Sequence, residues 1–175
     1  MVSMRILVVD DYQPFRQFIC STVEQRSGLQ VVGEASDGLE AVQKAQELQP
    51  DLIVLDLGLP KLNGIEAARQ IRERSATSKI LIVSQESSAD IAHEAFSTGV
   101  LGYVVKGSAG SELLPAVEAV LRGEQFISAC LPLSTEYAQG PGGFEHPGET
   151  PSVVPERAEN ARTMRFNSSL MTNPV

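Results

Sequence analysis

Five polar residues stand at the ends of four short apolar runs. Asp10 and Asp11 follow residues 6–9, Asp56 follows 52–55, Ser84 follows 80–83, and Lys106 follows 102–105. An aspartate at the end of one such run is ordinary turn chemistry, because its side chain bonds to the backbone just ahead. Acids, a hydroxyl and an ammonium at the ends of four of five such runs need another reason. Carboxylates crowded together repel, and a hard divalent cation with open water positions, Mg²⁺ above all, relieves that repulsion. Beside such a cation a carboxylate oxygen is a competent nucleophile toward phosphorus and yields an acyl phosphate. An ammonium such as Lys106 holds one phosphoryl oxygen, and a hydroxyl such as Ser84 donates to another. The chemistry these residue types suit is acceptance of a phosphoryl group on an aspartate.

That chemistry requires the runs to be neighbouring strands that end on the same side. The pattern supports this. Runs at 5–9, 30–35, 52–55, 80–83 and 102–105 are rich in Val, Ile and Leu, and most lack polar alternation, as strands covered on both faces do. Helical stripes alternate with them: Phe15, Phe18, Ile19 and Val23; Leu39, Val42 and Ala45; Ile65, Ala68 and Ile71; Ile91, Ala95 and Phe96; and Leu113, Leu114, Val117, Val120 and Leu121. Pro14, Asn63-Gly64 and Ser111-Glu112 mark starts of the first, third and fifth. Five strand–helix units predict an α/β fold, an open parallel sheet with helices on both faces. Ligands of such sheets bind beyond the carboxyl ends of the strands, which is where the acids, Ser84 and Lys106 fall.

Length and composition agree. A chain of 175 residues with 42% hydrophobic residues is enough for one domain with its own core. The net charge of −8 argues against nucleic acid as a partner, since phosphate neutralisation is not available to an acidic chain. The apolar run at 6–9 is too short for a signal peptide or a membrane span, so a cytoplasmic protein is expected. Cys20 and Cys130 make neither a disulfide framework nor a metal site. His93 is expected on the solvent side of the fourth helix, and neither it nor His146 has a catalytic or metal partner at useful spacing. Arg69, Arg72 and Arg74 read as a solvated helix end favoured by the dipole. Six of the ten prolines lie after residue 128, so a boundary is expected near Ser128. Residues 1–128 form the domain, and 129–175 form an irregular tail with one short helix over 155–170.

The acidic pair Asp10-Asp11, Asp56 with the following Leu57-Gly58-Leu59-Pro60 and Asn63-Gly64, Ser84, Tyr103 and Lys106 together resemble the receiver domain of bacterial response regulators, the CheY-like family. The resemblance covers residues 4–126. It implies the flavodoxin-like (βα)5 doubly wound sheet in the order 2-1-3-4-5. It implies Asp56 as phosphoacceptor, with Mg²⁺ bound directly by Asp11, Asp56 and the backbone carbonyl of Gly58, and by Asp10 mainly through water. Lys106 would pair with Asp56 or its phosphate. Ser84 and Tyr103 would be the switch pair, the serine moving toward the phosphate and the tyrosine turning inward. The implied donor is a sensor histidine kinase or a phosphotransfer protein. The implied output is a partner chain, or a second copy, met through the face of the fourth helix, fifth strand and fifth helix.

Departures from the family pattern are informative. Gly107 stands where many receivers have a cis proline, as in the NarL/LuxR-type branch. A helix-turn-helix domain that usually follows in that branch needs roughly 60 residues, whereas 47 proline-rich residues with a net charge of −2 follow Ser128. The expectation is a stand-alone receiver. Gln85 follows the switch serine, where a small residue is frequent. Gly58 and Glu86, two residues past Asp56 and Ser84, flank the path of an attacking water. Three other readings compete. A non-phosphorylated interaction module with a vestigial site would be expected to have lost Asp56, Asp11 or Lys106. An aspartate-nucleophile phosphatase usually carries a second acid where Gly58 stands. A flavin carrier would have its phosphate repelled by Asp10-Asp11.

Overall fold

The chain alternates strand and helix from its first described residues. In this computed structural model, which describes residues 3–132, the strands are β1 (Met4–Val9), β2 (Leu29–Ala35), β3 (Leu52–Leu55), β4 (Lys79–Ser84), β5 (Gly102–Val105) and β6 (Phe126–Ile127). The helices are α1 (Gln13–Glu24), α2 (Gly38–Leu48), α3 (Gly64–Arg74), α4 (Ala89–Ser97) and α5 (Ala109–Leu121). All pairings are parallel, in the order β2-β1-β3-β4-β5-β6. The expected order 2-1-3-4-5 is present. The sixth strand is an addition: two residues that pair with β5 at its outer edge, too short to carry a periodicity signal.

Alternation along the strands divides the core into two layers. Ile6, Val8, Leu52, Val54, Leu81, Val83 and Val104 face one side, where Ile19 and Val23 of α1 and Leu113, Val117 and Val120 of α5 cover them. Leu7, Val9, Ile53, Leu55, Ile80 and Ile82 face the other, under α2, α3 and α4. The central strands β1, β3 and β4 are thus buried on both faces, which is why their sequences show no polar alternation.

Several helical expectations shift by a residue or two. Leu39 lies in the solvent, 53% exposed, and Ala41 takes its place in the core beside Val42 and Ala45. α2 begins at Gly38 and is capped by Asp37, and the face it buries is that of Gly38, Ala41, Val42 and Ala45, with Leu39 turned off it. α5 starts at Ala109, directly after a 3-10 turn over Lys106–Ser108. Ser111 and Glu112 therefore lie inside it and do not cap it. The Glu112 carboxylate instead accepts from Ala129 N–H at 3.0 Å and from the Ser128 hydroxyl. His93 is half-buried, not on the solvent side. Packing continues a little past Ser128, with Leu131 buried against the α2–α4 layer. Among the described residues no helix is long and apolar enough to cross a membrane. His146 and the expected helix over 155–170 lie outside the described residues.

Candidate functional site

Register brings the site residues together. Val9 is paired with Leu55, so the next residues, Asp10 and Asp56, leave the sheet side by side. Ser84 is paired with Val105, which puts Lys106 one residue beyond it. The Lys106 ammonium sits between the two acids, 2.7 Å from Asp10 Oδ2 and 2.9 Å from Asp56 Oδ2. The contact to Asp56 is an aligned hydrogen bond, whereas that to Asp10 Oδ2 is an ion pair without such alignment. Asp10 is fully buried, Asp56 nearly so, and Asp11 is exposed. Carboxylate oxygens of Asp10, Asp11 and Asp56 lie within 4.8 Å of one another.

Electrostatics follow from this crowding. Burial pushes the Asp10 carboxyl above the ordinary carboxylate range, and the Lys106 charge pulls it back only in part. Burial of Lys106 opposes its charge, but its contacts to Asp10 and Asp56 outweigh that, and it is held above the ordinary lysine range. Three carboxylates facing one ammonium leave a formal deficit of about two positive charges, the charge of one divalent cation. The donor set is all oxygen, two acids buried and the third open to solvent. It fits Mg²⁺, which keeps several waters.

A cleft of ≈ 340 Å³ opens over these groups, lined by Asp11, Tyr12, Asp56, Gly58, Ser84, Gln85, Glu86 and Lys106. Every expected catalytic and metal-binding residue therefore borders or underlies it. Tyr103 lies beneath: its ring is fully buried, and its hydroxyl donates to the Glu86 carbonyl at 2.9 Å. Burial raises the phenol to about 12. The Ser84 hydroxyl accepts from Glu86 N–H at 3.2 Å. The peptide of Glu86 thus joins the two residues of the expected switch pair.

The loop after Asp56 is shaped by backbone needs. A Cβ on Gly64 would come within 2.1 Å of the Asp56 carbonyl oxygen, so only glycine lets α3 start so close to Asp56. Gly64 N–H donates to the Leu57 carbonyl at 2.9 Å, and the Asn63 side chain caps α3 by accepting from Glu66 N–H at 2.9 Å. Gly58 N–H points back to Asp56 Oδ1 at 3.3 Å.

Two contributors escape a reading by residue type. Arg16 on α1 donates to the Asp10 carbonyl at 2.7 Å and to Glu34 of β2 at 2.8 Å, which ties the acidic turn to its neighbours. Phe15 places its ring 4.7 Å from the Lys106 ammonium. The α1 stripe marks Phe15 for packing, and nothing in the spacing marks Arg16. Cys20 is half-buried, its thiol pushed up to about 11 mainly by burial, and takes no part in the site.

A doubly wound parallel sheet of this order, with its acids and lysine on the strand ends, is a flavodoxin-like fold of the CheY kind. Residues 6–118 match the family model of the response regulator receiver domain, and the chain belongs to that family, the receivers of two-component systems. Its relatives are of the LuxR/NarL type. It is 37% identical over 119 residues to a putative transcriptional regulator of Pseudomonas aeruginosa, covering 68% of this chain and 57% of that one. It is 35% identical to the transcriptional regulatory protein LiaR of Bacillus subtilis, covering 69% of this chain and 57% of that one. It is 33% identical to the nitrate/nitrite response regulator protein NarL of Escherichia coli K12, over 72% of this chain and 58% of that one. The chain thus spans a little over half the length of these curated relatives. Among solved structures it resembles a LuxR-family two-component response regulator from Aurantimonas sp. SI85-9A1, with 40% identity, a TM-score of 0.71, and coverage of 74% of this chain and 92% of that one. The response regulator domain of Thermotoga maritima CheB matches with 34% identity and a TM-score of 0.64, over 69% of this chain and 97% of that one.

Proposed function

We propose that this receiver takes a phosphoryl group onto Asp56 from a histidine kinase or a phosphotransfer protein and signals to a partner by a change of conformation. The observation that carries this is the Lys106 ammonium held between buried Asp10 and Asp56, with Asp11 at the open side of the same cleft. An Asp56 oxygen attacks phosphorus, the P–N bond of the donor's phosphohistidine breaks, and the imidazole leaves with that bond's electron pair. Asp11, Asp56 and the Gly58 carbonyl, with Asp10 beside them, would hold Mg²⁺, which would supply charge neutralisation for the incoming phosphoryl oxygens. Lys106 holds another of those oxygens, and Ser84 donates to a third. The domain thereby catalyses its own phosphotransfer and its own slow hydrolysis, and it is not a metabolic enzyme. Gly58 leaves the line of an attacking water open, while Glu86 orders or obstructs that water.

Ser84 and Tyr103 form the switch. Tyr103 already occupies the inward position, and a Ser84 that turns to the phosphate gives up its bond with the Glu86 peptide, which is also the tyrosine's acceptor. The face of α4, β5 and α5 then reports the state to a partner chain or a second copy. Residues 1–128 carry this function, and the site of action is the cytoplasm, without nucleic acid or membrane contact by the receiver itself.

Incubation with Mg²⁺ and acetyl phosphate, read by intact mass beside Asp56→Asn, tests the proposal. A phosphoryl adduct on the unsubstituted chain alone supports it. No adduct, together with no Mg²⁺ binding, would leave a non-phosphorylated interaction module.

A further inference from the structure

A second concavity, of ≈ 460 Å³, lies between α3 and α4, beside the acceptor cleft and sharing Gly58 and Glu86 with it. Its apolar lining comes from Leu57, Ile65 and Ile91, and its charged rim from Glu66, Glu86, Glu94 and Arg69. Three acids against one base give the rim a formal excess of negative charge. Arg69 is shared loosely, 3.4 Å from Glu66 and 3.6 Å from Glu94, with all three side chains well exposed, so these pairs contribute little and exchange readily. The Glu86 carboxylate has no cationic partner among the described residues. The groove therefore offers an apolar strip flanked by under-neutralised carboxylates.

We propose that the α3–α4 groove is a docking site for a partner-protein segment in which arginine or lysine alternates with aliphatic residues. The aliphatic side chains cover Leu57, Ile65 and Ile91, and the cations pair with Glu86 and Glu94. Charge complementarity excludes an acidic segment, whose carboxylates would face the glutamates. Gly58 and Glu86 line both concavities. A segment seated here touches the residue whose peptide joins Ser84 to Tyr103, so occupancy and the state of the acceptor site are linked, each changing the other's affinity by the same factor. The docking itself does not depend on phosphorylation, whereas the linkage rests on the proposed function.

The test is a chemical-shift titration of the full ¹⁵N-labelled chain, without phosphodonor, with the peptide acetyl-Gly-Leu-Arg-Leu-Arg-Gly-amide. Saturable shifts at Gly58, Ile65, Arg69, Glu86 and Ile91 are expected. Glu94→Gln, remote from the acceptor, should weaken binding about two- to fivefold, the worth of one exposed ion pair, and leave acetyl phosphate labelling unchanged. The Glu-for-Arg peptide should give no shifts. The proposal is overturned by shifts that do not saturate or map elsewhere. It is equally overturned by equal binding of the acidic peptide, by an unchanged affinity in Glu94→Gln, or by argininamide alone reproducing the full response. Because no phosphodonor is present, failure here leaves phosphorylation of Asp56 untouched.

Discussion

Replacing Lys106 with methionine keeps an unbranched stem beside Phe15 and deletes the charge together with the hydrogen bond to Asp56. At an effective dielectric of about 20, a unit-charge pair at the separations seen here attracts by roughly 6 kcal/mol. Desolvation of the ammonium and acids offsets much of that, and breaking a buried pair by removing one partner costs about 3–5 kcal/mol. All three side chains are at most 12% exposed, so solvent screening does not shrink the figure much. Lys106→Met should therefore lose about 3–5 kcal/mol at neutral pH without Mg²⁺. The loss should depend on pH. Asp10 already binds its proton more tightly in the folded chain, and without the lysine it does so further. Stability from that proton is complete below the ordinary carboxylate value of about 3.9 and disappears as pH rises through the raised folded value. The variant's deficit should shrink on acidification from pH 8 to 5, and Asp10→Asn on the variant background should recover part of it. Mg²⁺ at about a hundred times its dissociation constant should return about 2.7 kcal/mol. Urea unfolding followed by circular dichroism measures each quantity. A Lys106→Met variant as stable as the parent, or a deficit indifferent to both pH and Asp10→Asn, would refute the reasoning.

Three further outcomes follow from the same geometry. Gly64→Ala, which sets a Cβ 2.1 Å from the Asp56 carbonyl, should cost about 1–3 kcal/mol by overpacking and slow acetyl phosphate labelling; an unaltered unfolding midpoint would contradict the close approach. In thiol titration at pH 8, exposed Cys130 should react rapidly and Cys20, raised to about 11, only on unfolding, since about one thiol in a thousand is then ionised; two equally fast thiols would disagree. Asp37 is held below the ordinary carboxylate range by the Glu40 N–H and by Lys61, so it stabilises the fold above that range and ceases to as pH falls through the lowered value. Asp37→Ala should flatten the loss of stability between about pH 5 and 2, and an unchanged acid unfolding curve would remove Asp37 from that transition.

The parts of the fold and site that were legible in the sequence are those decided by local pattern. Strands β1, β3 and β4 announce themselves because burial on both faces leaves them uninterrupted Val, Ile and Leu. Asp10, Asp56, Ser84 and Lys106 were found because the strand ends put them on one side. The less legible parts depend on tertiary contact. Phe126–Ile127 becomes β6 only because β5 offers an edge. Leu39 follows the helical period of its neighbours, yet the face α2 buries is that of Gly38, Ala41, Val42 and Ala45. Besides the direct approach of the two hydroxyls, a link between Ser84 and Tyr103 runs through the N–H and carbonyl of Glu86, backbone groups that no side-chain pattern marks. Arg16 reaches the Asp10 carbonyl from α1, a contact set by the placement of that helix.

The central claim is that the oxygen that takes the phosphoryl group belongs to Asp56. Chain labelled with acetyl phosphate and Mg²⁺ is treated with sodium borohydride, which reduces an acyl phosphate to an alcohol, and is then digested and mapped by mass spectrometry. The account predicts homoserine at position 56 and unmodified Asp10 and Asp11. A stable phosphate on Ser84, or reduction at Asp10 or Asp11 with Asp56 intact, would contradict it.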